Sequence, residues 1–163
     1  MTHVLKATSE CDIATVERLA QIIWRHHYEP IIGTNQVEYM LDKFQSSEAI
    51  LSQIKAGYEY YLIQYKAEAV GYISIKKDDD ALFLSKIYVL SDFRGKKIGA
   101  SAMQFITDRA ISLGCKSIRL TVNKYNTNSI AAYHKLGFKT IEALVIDIGN
   151  GYIMDDYKME LTF

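Results

Sequence analysis

The sequence predicts a mixed α/β (α+β) domain, and three observations point there. Apolar residues follow a helical period over the first third of the chain. From Tyr58 onward, β-branched and aromatic segments are joined by very short links. Beyond them, helical and strand patterns alternate. With 163 residues, one proline, no repeat and no Gly/Ser-rich tract, residues 1-163 read as one continuous domain.

His3 to Ala7 reads as a first strand. Ile13, Val16, Ala20, Ile23, Trp24 and His27 then recur on one helical face, with Ser9 as the cap and Asp12 three positions on. Pro30 and Gly33 are expected to break the chain. Val37, Met40, Leu41 and Phe44 make a second apolar stripe. Ser46 or Ser47 opens a third helix carrying Ile50, Leu51 and Ile54, and Gly57 ends it. Tyr60–Tyr65 and Val70–Lys76 have strand composition, and Lys66-Ala67-Glu68 is short enough for a hairpin. Asp78, Asp79 and Asp80 form the next turn, read as solvated, and Leu82–Leu90 completes a meander. A helix from about Lys97 to Leu113, a strand from Ser117 to Val122 and a helix from Asn126 to Leu136 follow. Phe138–Ile148 and Tyr152–Thr162 close the chain as strands. A doubly wound sheet would need strands and helices to alternate throughout, and the central meander argues against it.

Composition narrows the function. The formal net charge is zero, which gives no broad attraction to nucleic acid. No run approaches the roughly 20 apolar residues that cross a bilayer, and no apolar stretch follows a basic N-terminus, so no membrane contact and a cytoplasmic address are expected. Cys11 and Cys115 lack metal-ligand spacing, and both are read as reduced and buried; no metal is expected.

The segment Ile87 to Ala100 carries the most chemistry. A hydrophobic strand runs into a Gly- and Lys-containing loop that opens an amphipathic helix. The first N–H groups of a helix lack internal partners, its dipole makes that end electropositive, and glycine lets a ligand approach the main chain. Together with Arg94, Lys96 and Lys97, these features suit a phosphate or pyrophosphate. Neither a Walker loop nor a full dinucleotide fingerprint is present.

Arg94 to Gly99 resembles the pyrophosphate loop of the GNAT superfamily of acyl-CoA N-acyltransferases, Gln/Arg-x-x-Gly-x-Gly/Ala. Arg94 takes the first position and Gly99 the last, while Lys97 replaces the middle glycine. A second stretch, Val122 to Phe138, is similar to the other signature of that superfamily. Asn126 takes the Asn position, Tyr133 the Tyr position seven residues on, and Gly137-Phe138 completes it, with Ser129 where alanine is usual. On residue physics alone, Asn126 is a helix cap and Tyr133 a core tyrosine; the order and spacing of the two motifs carry the resemblance. The ending Tyr152 to Glu160 and the segment Gln36-x-x-Tyr39-Met40-Leu41 are similar to bacterial polyamine-type acetyltransferases.

The resemblance implies a central mixed, mostly antiparallel sheet of about seven strands flanked by helices. It implies acetyl-CoA as co-substrate, held by the main chain of Ile87, Tyr88 and Val89 and by Arg94, Gly95, Lys96, Lys97, Ile98, Gly99, Ala100 and Asn126. It also implies a primary amine, such as a polyamine, attacking the thioester directly, with Tyr133 protonating the departing thiolate. Trp24, Tyr28, Gln36 and Tyr39 are placed to bind that amine, and Met40 beside them. An amine of pKa about 10.4 must lose a proton before it attacks. The strand Leu82 to Lys86 offers no carboxylate for this, and His26, His27, Glu29, Glu142, Asp155 or a water chain stay open as the base. Protein or peptide N-acetylation, a non-catalytic acyl-CoA-binding module and a nucleotide-binding regulatory domain are the competing readings. Exposed apolar strands at the C-terminus would fit a homodimer.

Overall fold

The computed structural model describes residues 1–163. Its elements are β1 (Thr2–Lys6), α1 (Glu10–Ile32), α2 (Thr34–Gln45), α3 (Ser47–Lys55), β2 (Glu59–Tyr65), β3 (Glu68–Asp78) and β4 (Ala81–Val89). A 3₁₀ turn (Ser91–Phe93), α4 (Ile98–Ser112), β5 (Ser117–Asn123), α5 (Thr127–Lys135), β6 (Lys139–Gly149) and β7 (Tyr152–Thr162) follow. The seven strands form one sheet in the order β1-β2-β3-β4-β5-β7-β6, antiparallel except between β4 and β5. The expected mixed, mostly antiparallel sheet is therefore present.

Two cores cover the two faces. One joins α4 to Ile63, Ile73, Leu82, Ile118 and Met159. The other joins α1, α2 and α3 to Tyr60, Leu62, Tyr72 and Ile148. The first turn of α1 is the expected capping box: Asp12 N–H donates to Ser9 Oγ at 3.1 Å and Ser9 N–H donates to the Asp12 carboxylate at 3.2 Å. The β2–β3 hairpin closes on Lys66 and Ala67, both with positive φ, so the turn is set by strand twist rather than by glycine or asparagine.

Two local expectations need correction. Pro30 does not end α1, which runs on to Ile32 and stops at Gly33 (φ 85°). A proline this close to a helix end forfeits one main-chain bond, and Gly33 N–H still donates to Glu29 O at 3.0 Å. Cys11 is exposed, because it lies on the outer side of the first turn of α1; Cys115 is buried as expected. No helix is long and apolar enough to cross a membrane.

One irregularity in β4 positions the site. Ser74 pairs with Lys86 and Ile75 with Leu84, so Ser85 is an extra residue, a β-bulge. Before it, Leu82 and Leu84 face α4; after it, Ile87 and Val89 do. The bulge turns Lys86 and Tyr88 toward the α1–α2 face, where Tyr88 packs.

Candidate active site

β4 and β5 pair over Ala81–Phe83 and Ser117–Arg119, and their pairing stops there. Beyond this point the strands splay, and the β5-facing edge of β4 keeps main-chain groups without a strand partner. A cavity of about 1190 Å³ fills the opening, lined by both strands, the loop before α4, α5, and the inner sides of α1 and α2. It therefore connects the α4–α5 face of the sheet with the α1–α2 face.

The end of the cavity beside α4 is built for an anion. Lys97 sits at the N-cap of α4 in the left-handed region (φ 61°), and no side chain caps that end. The first helical bond runs from Ser101 N to Lys97 O, so the N–H groups of Ile98, Gly99 and Ala100 have no intrahelical acceptor. A Cβ added at Gly95 or at Gly99 would meet nothing within 4 Å, which leaves the main chain approachable there. Arg94, Lys97 and Lys135 add positive charge to the wall. Lys97 adopts the backbone that the missing glycine would take, at a cost of about 1 kcal/mol, and contributes a side chain to the wall. This donor set fits the pyrophosphate of an acyl-CoA.

The other end is aromatic. Trp24 and Tyr28 of α1 reach Tyr88 of β4 with edge-on rings, and the Tyr28 and Tyr88 hydroxyls are 2.8 Å apart. Trp24 Nε1 donates to Tyr72 Oη at 3.0 Å, which in turn donates to Gln45 Oε1 at 2.7 Å. Gln36 Nε2 donates to Ile153 O at 2.7 Å and ties α2 to β7 over the cavity. Tyr133 projects from α5 with its ring against Phe138 (centroids 5.5 Å). Burial pushes its phenol well above the usual value, and Tyr28 adds to this, so it stays protonated at neutral pH.

Two charged side chains stand on this wall. Lys86 donates to Ser85 Oγ at 2.8 Å. Burial lowers its ammonium to about 8, against a smaller opposing pull from Asp156. Asp156, 3% exposed, lies on β7 opposite Asn123 and Leu144. Burial raises its carboxyl to about 6; Asp155 raises it further, and Lys124 and Lys86 draw it down.

Of the residues expected at the cofactor end, all line the cavity except Lys96. Lys96 is exposed in the loop and is not part of the wall. Asn126 is at the N-cap position of α5, but its side chain makes no capping bond and lies beside the His27 ring instead. At the acceptor end Trp24, Tyr28, Gln36 and Met40 line the cavity. Tyr39 does not: its hydroxyl donates to Ile148 O at 2.7 Å and its ring packs on Tyr152, which makes it a peg between α2 and the β6–β7 hairpin. Among the five side chains considered as a base, only His27 reaches the wall, and burial and Arg94 hold it below its ordinary pKa. Asp155 faces the other side of β7 and pairs with Lys124 at 2.8 Å. Lys86 and Asp156 were not singled out from the sequence. For Lys86 the one signal was a charge in an otherwise apolar strand, and its facing depended on the Ser85 bulge; Asp156 had no such signal, because β7 also carries Asp155, Lys158 and Glu160.

The acetyltransferase (GNAT) family profile matches residues 16–138. The chain belongs to that family, and its enzyme class is acyltransferase. The spermidine N(1)-acetyltransferase of Thermoplasma acidophilum is 23% identical over 95% of this chain and 97% of its own length. An uncharacterized N-acetyltransferase of Escherichia coli (strain K12), YjgM, is 29% identical over 53% of this chain, and the match spans 54% of that protein. Among solved structures, the PaiA N-acetyltransferase of Thermoplasma acidophilum in complex with coenzyme A superposes with a TM-score of 0.82 at 21% identity, covering 100% of this chain and 99% of its own. A GCN5-related N-acetyltransferase from Rhodopseudomonas palustris gives 0.84 at 15% identity, covering 100% and 96%. These two share the fold.

Proposed function

We propose that the protein transfers the acetyl group of acetyl-CoA to a primary amine of a small molecule by direct attack. The observation that carries this reading is the cavity through the splayed sheet, with an anion-binding helix end on one side and Asp156 on the other. In this reading the β4 edge and the α4 N-terminus hold the pantetheine arm and pyrophosphate, and the thioester reaches the opening between the strands. Asp156 takes a proton from the acceptor ammonium. The freed nitrogen attacks the carbonyl carbon, and the C–N bond forms as the C–S bond breaks. Tyr133 gives its proton to the departing thiolate; a buried phenol is a competent donor to a thiolate whose acid lies near about 8.5.

The cover over the acceptor end favours a small molecule over a protein substrate. The Gln36–Ile153 bond joins α2 to β7 and the Tyr28–Tyr88 contact joins α1 to β4 on that side, which narrows it. The Thermoplasma relative named for spermidine supports a small-molecule amine as acceptor. The exposed apolar residues of β6 and β7 support a homodimer formed along that edge.

Thiol release from acetyl-CoA, followed with a panel of amines and peptides, tests the reading. Acceptor-dependent release is expected from small amines. Tyr133→Phe is expected to lower kcat by about 10²-fold or more with unchanged CoA affinity. Tight CoA binding without release for any acceptor would mean a binding module.

A further inference from the structure

The charges on the cavity wall divide into two sets. Arg94, Lys97 and Lys135 belong to the α4–α5 side, where a pyrophosphate would sit. Lys86 does not: the Ser85 bulge turns it to the other face of the sheet, alongside Tyr88 and opposite α1. Asp156 is the sole carboxylate on the wall. Lys86 and Asp156 influence one another electrostatically, yet they form no ion pair, and the one hydrogen bond Lys86 makes is to the hydroxyl of its neighbour Ser85. A bonded pair would satisfy itself. Two opposite charges that are not bonded to each other, on one largely apolar wall, are well matched by a ligand that carries both opposite charges.

Resting on the acetyl-transfer reading above, we infer that the acceptor is a primary amine that also carries an anionic group: Asp156 receives the amine and Lys86 receives the anion. Lys86 is still mostly cationic at neutral pH. A di- or polyamine would bring at least two ammonium groups to a wall that offers one carboxylate and a cationic Lys86. A second ammonium near Lys86 opposes binding, whereas an amine with a carboxylate or phosphate finds a partner for both charges.

The test compares acceptors matched in length: γ-aminobutyrate with putrescine, lysine with cadaverine, and phosphoethanolamine with ethanolamine. For the wild type, the anion-bearing member of at least one pair is expected to have the higher kcat/KM by about tenfold or more, the scale of one charge-assisted hydrogen bond. Which pair shows it separates a carboxylate from a phosphate. Lys86→Met is expected to raise KM for the anion-bearing acceptors and to leave or improve the diamines, and Lys86→Arg to restore part of the preference. A wild type that prefers the diamines would overturn the inference. So would a Lys86→Met variant that slows both members of a pair by the same factor, since Lys86 would then serve a step common to all acceptors. If no acceptor turns over, calorimetry of the same amines against the CoA-loaded protein decides. Binding of an anion-bearing amine that is lost in Lys86→Met keeps the acceptor class and sinks acetyl transfer. Equal binding to both proteins, or none to either, rejects the acceptor class.

Discussion

At the residue scale, Asp156 joins stability to chemistry. Its carboxyl moves from an ordinary 3.8 to about 6 in the folded protein, chiefly by burial. The folded state thus holds this proton more tightly than the unfolded chain does. Stability falls as pH rises from about 4 to about 6 and stays lower above, by up to about 3 kcal/mol at neutral pH. Asp156→Asn removes the charged form and is expected to stabilise the protein by up to that amount at pH 7. Urea unfolding at neutral and at acid pH measures it, and the gain should vanish below about pH 4. The same substitution is expected to lower kcat/KM by about 10²-fold and to abolish the acid limb near pH 6 that the wild type shows. Asp155, Lys124, Lys86 and Tyr28 are the ionisable groups that face this carboxyl electrostatically. Loss of activity without the gain in stability would mean that Asp156 is not held as a buried charge.

At the scale of elements, the site depends on two neighbouring strands keeping their offset. Gly71 of β3 pairs with Val89 of β4, and a Cβ there would collide with the Tyr88 carbonyl oxygen and come within 3.1 Å of Val89 Cα. Both obstacles are main chain, so neither can swing aside. Gly71→Ala is expected to push the end of β4 toward the cavity and to cost about 1–3 kcal/mol of stability. Because that stretch of β4 forms the rim on which the pantetheine arm would lie, CoA affinity should fall in the variant while it remains folded. Calorimetric titration with CoA, alongside thermal unfolding, separates the two effects. Unchanged CoA affinity would remove the β4 edge from the binding reading. The Ser85 bulge works at the same scale: one extra residue decides that Lys86 turns to the face of the sheet that carries Tyr88 and α1.

At the scale of the whole molecule, β6 is the outer strand of the sheet, and Ile141, Val145 and neighbouring Ile153 are 50%, 61% and 49% exposed. An eleven-residue edge with unpaired main chain and apolar side chains is a template for pairing. Light scattering is expected to show a dimer that Val145→Lys converts to monomer; a monomeric wild type would remove this reading. The architecture was legible in the sequence because it is written in local signals. Helical spacing from Ile13 to Trp24, the capping box at Ser9, the short link at Lys66-Ala67 and the glycine-bearing loop at Arg94–Gly99 each act over a few residues. Those signals determined the element order, the antiparallel meander, the glycine-bearing loop that opens α4 and the position of Tyr133. Pro30 misled because a helix-breaking residue matters little half a turn from an end, which depends on where the end falls. Tyr39 could be a ligand contact or a structural peg on equal sequence grounds, and only its approach to Ile148 makes it a peg. The wall that carries Lys86 and Asp156 was decided by tertiary structure alone. Lys86 and Asp156 are 70 residues apart in the chain and come to one wall through a bulge, a parallel crossover and the splay of β4 from β5. Spacing within one element reports a face; it cannot report which two faces meet, because that is set by the packing of the whole sheet.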